Sequence, residues 1–113
     1  MHELSIVLSI VDIAEQQVAL NDAHSVEAIE LEIGQLAGVE WDALDFAWEA
    51  ATKHTVLEKS SRKLTIVDGK ARCLECGQAF SAPTLFTECP SCGSFFSDLL
   101  SGKELRVKSL TLV

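Results

Sequence analysis

Two groups of residues in this chain have the types and spacing that metal chemistry needs. The first is Cys73, Cys76, Cys89 and Cys92, the only cysteines. They read C-x2-C, twelve intervening residues, C-x2-C, and glycine follows each pair, as Gly77 and Gly93. A metal knuckle needs two sulfurs about one turn apart on a tightly curled backbone. Glycine after the second cysteine permits the left-handed conformation that turns amide N–H groups toward sulfur, and Pro90 stiffens the second knuckle. Two knuckles at the tips of two turns make a closed tetrahedral site of four thiolates, the expected seat of a structural zinc ion. The intervening loop is a little shorter than the ~15–20 residues usual for this motif, which shortens the hairpin without threatening ligation. Four thiolates leave no open coordination position, so the metal is expected to be structural and not catalytic. In so small a module metal binding supplies much of the folding energy, on the order of 10–16 kcal/mol apparent. A rubredoxin-like iron site uses the same knuckles and stays open as an alternative. Disulfides belong to oxidising compartments, and no secretory signal is visible.

The second group is Met1-His2-Glu3 at the start of the sequence. His2 is too large for efficient removal of Met1, so the chain is expected to keep Met1 and to carry no leader. An α-amine titrates near about 7.7–8 and imidazole near about 6.5. The Met1 amine and the His2 amide nitrogen close a five-membered ring on one metal; the His2 amide and Nδ1 close a six-membered ring. Nitrogen donors held in a plane suit Ni(II) or Cu(II) better than Zn(II) or Mg(II). By itself a Met-His start is also compatible with a solvated terminus whose histidine is a bystander.

The elements that must position these residues are legible from periodicity. The 113 residues suffice for one small domain carrying a smaller module, and 48% of them are hydrophobic. Leu4 to Leu20 reads as an amphipathic helix on Leu4, Val7, Leu8, Val11 and Val18, widened by Ile6, Ile10 and Ile13. Its Asp12, Glu15, Gln16 and Gln17 interrupt any membrane-spanning run. Ile29, Leu31 and Ile33 alternate with Glu30 and Glu32 as a half-buried strand, and Gly34 and Gly38 mark a loop. Glu40 to about His54 reads as a second helix with Leu44, Trp48 and Ala51 on one face. Leu64 and Ile66 mark a second strand and Leu105 to Leu112 a third. The expected class is α+β: two helices on a small three-stranded sheet, made from residues 1–69 together with 100–113. A zinc-ribbon module of residues 70–99 is inserted between two strands that could pair with each other. Trp41, Phe46 and Trp48 are expected in the core or in helix packing. Phe80, Phe86, Phe95 and Phe96 are expected over the knuckles and the seam to the main domain. His24 and His54 read as surface histidines, and Glu27, Glu30 and Glu32 as a solvated acidic edge.

Net charge is −8, with 17 acids against 9 bases. Phosphate backbones attract basic surfaces, so this balance argues against a nucleic-acid binder. An acidic surface suits a basic protein partner or a cation. No Ser-His-Asp series, phosphate loop, HExxH or paired-acid motif is visible, which lowers the odds of an enzyme without excluding one; the leading reading is a metal-delivery protein. Competing readings are a zinc-ribbon adaptor with an inert terminus, a nucleic-acid-binding ribbon and a rubredoxin-like electron carrier.

Met1-His2-Glu3-Leu4-Ser5 followed by a helix, Cys73-x-x-Cys76-Gly77, Cys89-Pro90-x-Cys92-Gly93-Ser94, and the closing Gly102-Lys103-Glu104-Leu105 occur in one order over essentially the whole chain. Together they resemble the HypA/HybF family of nickel metallochaperones for hydrogenase maturation. The resemblance implies a nickel-binding domain built from both chain ends, with a zinc domain between them. It implies His2 as the essential nickel ligand and Met1 and Glu3 as sources of backbone nitrogen. The Glu3 carboxylate and Glu40 would be nickel neighbours, and Cys73, Cys76, Cys89 and Cys92 the zinc ligands. It further implies Ni(II) as transient cargo for the large-subunit precursor of a NiFe hydrogenase, a HypB-type GTPase as partner, the urease chaperone UreE as a further one, and a cytoplasmic location.

Overall fold

The computed structural model describes residues 2–113. The elements run α1 (His2–Leu20), β1 (Val26–Gly34), α2 (Trp41–Ala51), β2 (Ser61–Val67), β3 (Lys70–Cys73), β4 (Ala79–Ser81), β5 (Ser97–Ser101) and β6 (Leu105–Leu112). They form two three-stranded sheets, ordered β2-β1-β6 and β4-β3-β5. Two compact units result: residues 1–31, 39–64 and 107–113 in one, and residues 32–38 and 65–106 in the other. Among the described residues no helix is long and apolar enough to cross a membrane.

In the first unit, α1 buries Ile6, Val7, Ile10, Val11, Ala14 and Val18. Val7, Val11, Ala14 and Val18 share one stripe at helical spacing, and Ile6 and Ile10 widen it. Leu4, Leu8 and Ile13, expected in that stripe, are exposed instead; they lie on its outer flanks, where the helix turns to solvent. α2 buries Leu44 and Ala47. Thr52 closes it by donating both its N–H (3.1 Å) and its hydroxyl (2.7 Å) to the Trp48 carbonyl.

β1 is the central strand. Its Ile29, Leu31 and Ile33 are each 1% exposed, and the alternating Glu30 and Glu32 point to the other face. Glu30 lies 3.7 Å from Lys63 on β2 and 3.8 Å from Lys108 on β6, while Glu32 pairs with Arg106 of β6. The expected solvated acidic edge holds at Glu27, which is exposed, and is corrected at Glu30 and Glu32 to half-buried carboxylates flanked by bases, because β1 is interior to the sheet. The two strands that bracket the cysteine segment, β2 and β6, do not pair with each other; β1 separates them. Val26 and Gln35 donate to the carbonyls of Val56 and Val67, so β2 runs parallel to β1 and α2 lies on the crossover that parallel pairing requires. Ser25 and Val113 exchange backbone bonds at 3.2 and 3.0 Å, and Gly34 donates to the Glu104 carbonyl, so β6 is antiparallel to β1.

In the second unit β3 is central and antiparallel to both neighbours, pairing Ala71 with Phe80 and Leu99, and Cys73 with Ser97. Its core is Ala71, Cys73, Phe80, Ala82 and Cys89. Glycines let backbones approach closely here. A Cβ on Gly34 would stand 1.9 Å from the Gly102 carbonyl oxygen, and one on Gly69 2.1 Å from that of Ala82. Of the aromatic residues expected to cover the knuckles, only Phe80 is buried; Phe86, Phe95 and Phe96 are 86%, 64% and 69% exposed. Phe46, expected in the core, is 73% exposed, while Trp41 and Trp48 are half-buried. A core made of two sulfurs and small side chains has no room for three more rings.

Candidate metal centres

The two knuckles form as local hydrogen-bonded turns. Gly77 N–H donates to the Cys73 carbonyl at 2.9 Å and Gly93 N–H to the Cys89 carbonyl at 2.8 Å. Both glycines sit at positive φ, 78° and 74°, where a side chain would be strained. Each turn is closed again by its first cysteine, with Cys73 N–H donating to Gln78 O and Cys89 N–H to Ser94 O. Gln78 also accepts from the Ser91 hydroxyl, tying one knuckle to the other. Gln78 was missed in the sequence and Ser94 was read there only as part of the second motif; their position just beyond each knuckle glycine was the available signal for a structural role.

The four sulfurs all lie within 4.8 Å of one another. Cys73 Sγ is 3.5 Å from Cys92 Sγ, and Cys76 Sγ is 3.6 Å from Cys89 Sγ. These separations are far beyond the ~2.05 Å of a disulfide, and the four cysteines are free. A tetrahedron with metal–sulfur bonds of about 2.3 Å has edges of about 3.8 Å, so the donor set fits a thiolate-bound cation. The electrostatics agree. The Cys76 N–H holds the Cys73 thiol down at about 7. Cys92 also accepts from the Ser94 N–H, which lowers it, but the adjacent Cys73 sulfur and desolvation push it up to about 12. Four thiolates this close repel one another, and only a cation among them lets all four ionise. Cys73 and Cys89 are buried, and Cys76 and Cys92 are exposed.

The other candidate group lies at the head of α1. Met1 is outside the described residues. His2 is the first residue of α1, two residues before the expected start. Its side chain is 55% exposed, and its Nδ1 lies 3.7 Å from Glu3 Oε2. The Ser5 hydroxyl donates to the His2 carbonyl at 2.8 Å. The Glu3 carboxylate, only 12% exposed, accepts the backbone N–H of Glu40 at 3.2 Å. That bond is the main cause holding the Glu3 carboxyl below its ordinary range. Glu40 is the N-cap of α2, and its own side chain makes no capping bond. His2, Glu3 and Glu40 are therefore brought together, with Glu40 engaged through its backbone and not its carboxylate. His24 and His54 are exposed, as expected.

The sequence matches the family model described as hydrogenase/urease nickel incorporation, metallochaperone, HypA, over residues 1–112. The hydrogenase maturation factor HypA of Parabacteroides distasonis is 46% identical over 112 residues, covering 99% of this chain and 97% of the relative. That of Prosthecochloris aestuarii is 41% identical over 112 residues, 99% of each chain. The solution structure of the Ni metallochaperone HypA from Helicobacter pylori aligns with a TM-score of 0.69 over 98% of this chain and 97% of that one, at 22% identity, and so shares the fold.

Proposed function

Because the chain belongs to the HypA family, whose members are nickel metallochaperones for hydrogenase maturation and not enzymes, we propose that it binds Ni(II) at Met1-His2-Glu3 and delivers it to the large-subunit precursor of a NiFe hydrogenase. The observation that carries this reading is the His2–Glu3–Glu40 group at the exposed head of α1. The Met1 amine, the His2 amide nitrogen and His2 Nδ1 supply three planar nitrogens, with the Glu3 amide beside them. Amides in a first helical turn have no intrahelical acceptor, but they must lose protons to bind nickel, and the helix dipole disfavours a cation there. Affinity therefore falls steeply with acid, and a site at a terminus exchanges ligands one at a time. The Glu3 carboxylate and Glu40 stand as neighbours of the cargo. Cys73, Cys76, Cys89 and Cys92 hold zinc as a structural cross-link within the inserted 70–99 module, and residues 1–69 with 100–113 make the nickel domain. A HypB-type GTPase and the urease chaperone UreE are the proposed partners, in the cytoplasm.

The test is Ni(II) calorimetry on untagged protein with native Met1, beside His2→Ala, counting zinc in both. The expected result is about one nickel for the native chain and none for His2→Ala, with zinc unchanged. One residue added before Met1 should also weaken nickel binding, because it displaces the amine. Equal uptake by both proteins, or none by either, would leave a zinc-ribbon adaptor.

A further inference from the structure

α2 carries three acids, Asp42, Asp45 and Glu49, and no base. With Phe46 they fall at i, i+3, i+4 and i+7, so all four share one helix face. All four are exposed, Phe46 to 73%. Leu44 and Ala47 fill the opposite, buried face, so the core is complete without Phe46. Asp45 is engaged by Arg62 at 2.6 Å, and that guanidinium lies 5.2 Å from the Trp48 ring centroid. Asp42 and Glu49 have no side-chain partner among the described residues. Glu49 also lines a concavity of about 510 Å³ together with Trp48, Thr52 and Glu58. Lys53 and His54 line it too; the Glu58 carboxylate already accepts the His54 N–H at 2.6 Å with His54 Nδ1 at 3.7 Å, so Glu49 is the carboxylate left without a partner there. An aromatic wall beside an unpartnered carboxylate accepts a lysine or arginine side chain.

We propose that this face of α2 docks a basic, amphipathic segment of a protein partner. The apolar anchor of that segment packs on Phe46. One base meets Asp42, and another enters the slot beside Trp48 and Glu49. Asp42 and Glu49 are about 10 Å apart along the axis, two turns of a docked helix. Charge complementarity selects the occupant: this face repels nucleic acid and anionic lipid and steers a basic chain toward it. α2 begins one residue after Glu40, whose N–H holds Glu3 beside His2, so a partner docked here lies within two turns of the head of α1. The proposal rests on this face alone and does not depend on nickel loading.

The test uses the full, zinc-loaded, 15N-labelled chain. The probe is an amphipathic peptide of about two heptads, with leucines on one face flanked by arginines; its control has glutamates for the arginines. The basic peptide should shift amides of residues 42–54 saturably, and raising salt from about 50 to about 300 mM should weaken it several-fold. Asp42→Lys combined with Glu49→Lys, and separately Phe46→Ser, should each weaken binding about tenfold or more. Glu49→Gln, which keeps the side-chain shape, should weaken it less and in the same direction. Nickel and zinc per chain are counted in the same variants, and unchanged counts separate loss of docking from loss of metal binding. No saturable shift, shifts confined to the four-cysteine unit, equal binding of the acidic peptide, or undiminished affinity in folded variants would overturn the proposal.

Discussion

Within each knuckle one cysteine is buried and the next is exposed, so the tetrad is entered from one side. Cys76→Ala leaves three sulfurs around one cation, and the chain should lose stoichiometric zinc and most of the module's stability; metal analysis beside thermal melting checks both. Full retention of one tight metal per chain would contradict the four-thiolate site. Acid should release metal as protons compete for the thiolates. Glu3 titrates with the opposite consequence from a base. Its folded carboxyl is held low, so its contribution is present above the ordinary carboxylate value and is lost as pH falls through the lowered one. Glu3→Gln should therefore flatten the acid limb of a stability profile measured between about pH 3 and pH 6. The tetrad was legible because spacing and glycine alone dictate a knuckle. The Glu3–Glu40 bond was not, since a backbone N–H 37 positions away carries no signature in the sequence.

At the scale of elements, α1, β1, α2, β2 and β6 followed their periodicity, although α2 ends at Ala51 and not near His54 and the short β3, β4 and β5 were not read as strands; the errors in burial fell on flanks. Leu4 and Leu8 fit a helical stripe as well as Ile6 and Ile10 do; only the direction of packing decides, and packing is not local. Leu44, fully buried on α2, should cost about 2–5 kcal/mol when replaced by alanine, read as a shift in denaturation midpoint. Phe46→Ala should cost almost nothing by the same measurement, because its ring is in water. Gly34→Ala sets a methyl against the Gly102 carbonyl and should destabilise by about 1–3 kcal/mol or more. Gly34 was legible only as loop punctuation; the close approach it permits involves Gly102, far along the chain.

For the molecule as a whole, the β2-β1-β6 order was not legible from periodicity, which left the two strands nearest the cysteine segment free to pair with each other. The cue lay in the charges: Glu30 has a lysine on each side, Lys63 and Lys108, as only a central strand allows. Because the two sheets share no strand, chelating the metal should raise amide exchange in β3, β4 and β5 first, while β1 keeps its protection. Equal and simultaneous loss in both sheets would contradict that order. The same topology fixes a timetable for synthesis. β3, the two knuckles, β4 and β5 are contiguous in the chain and can close as soon as they have been made. β1 was made long before them, but its second edge stays bare until β6 has been translated. The four-cysteine unit can thus take up its ion while the nascent chain still lacks the strand that completes the other sheet.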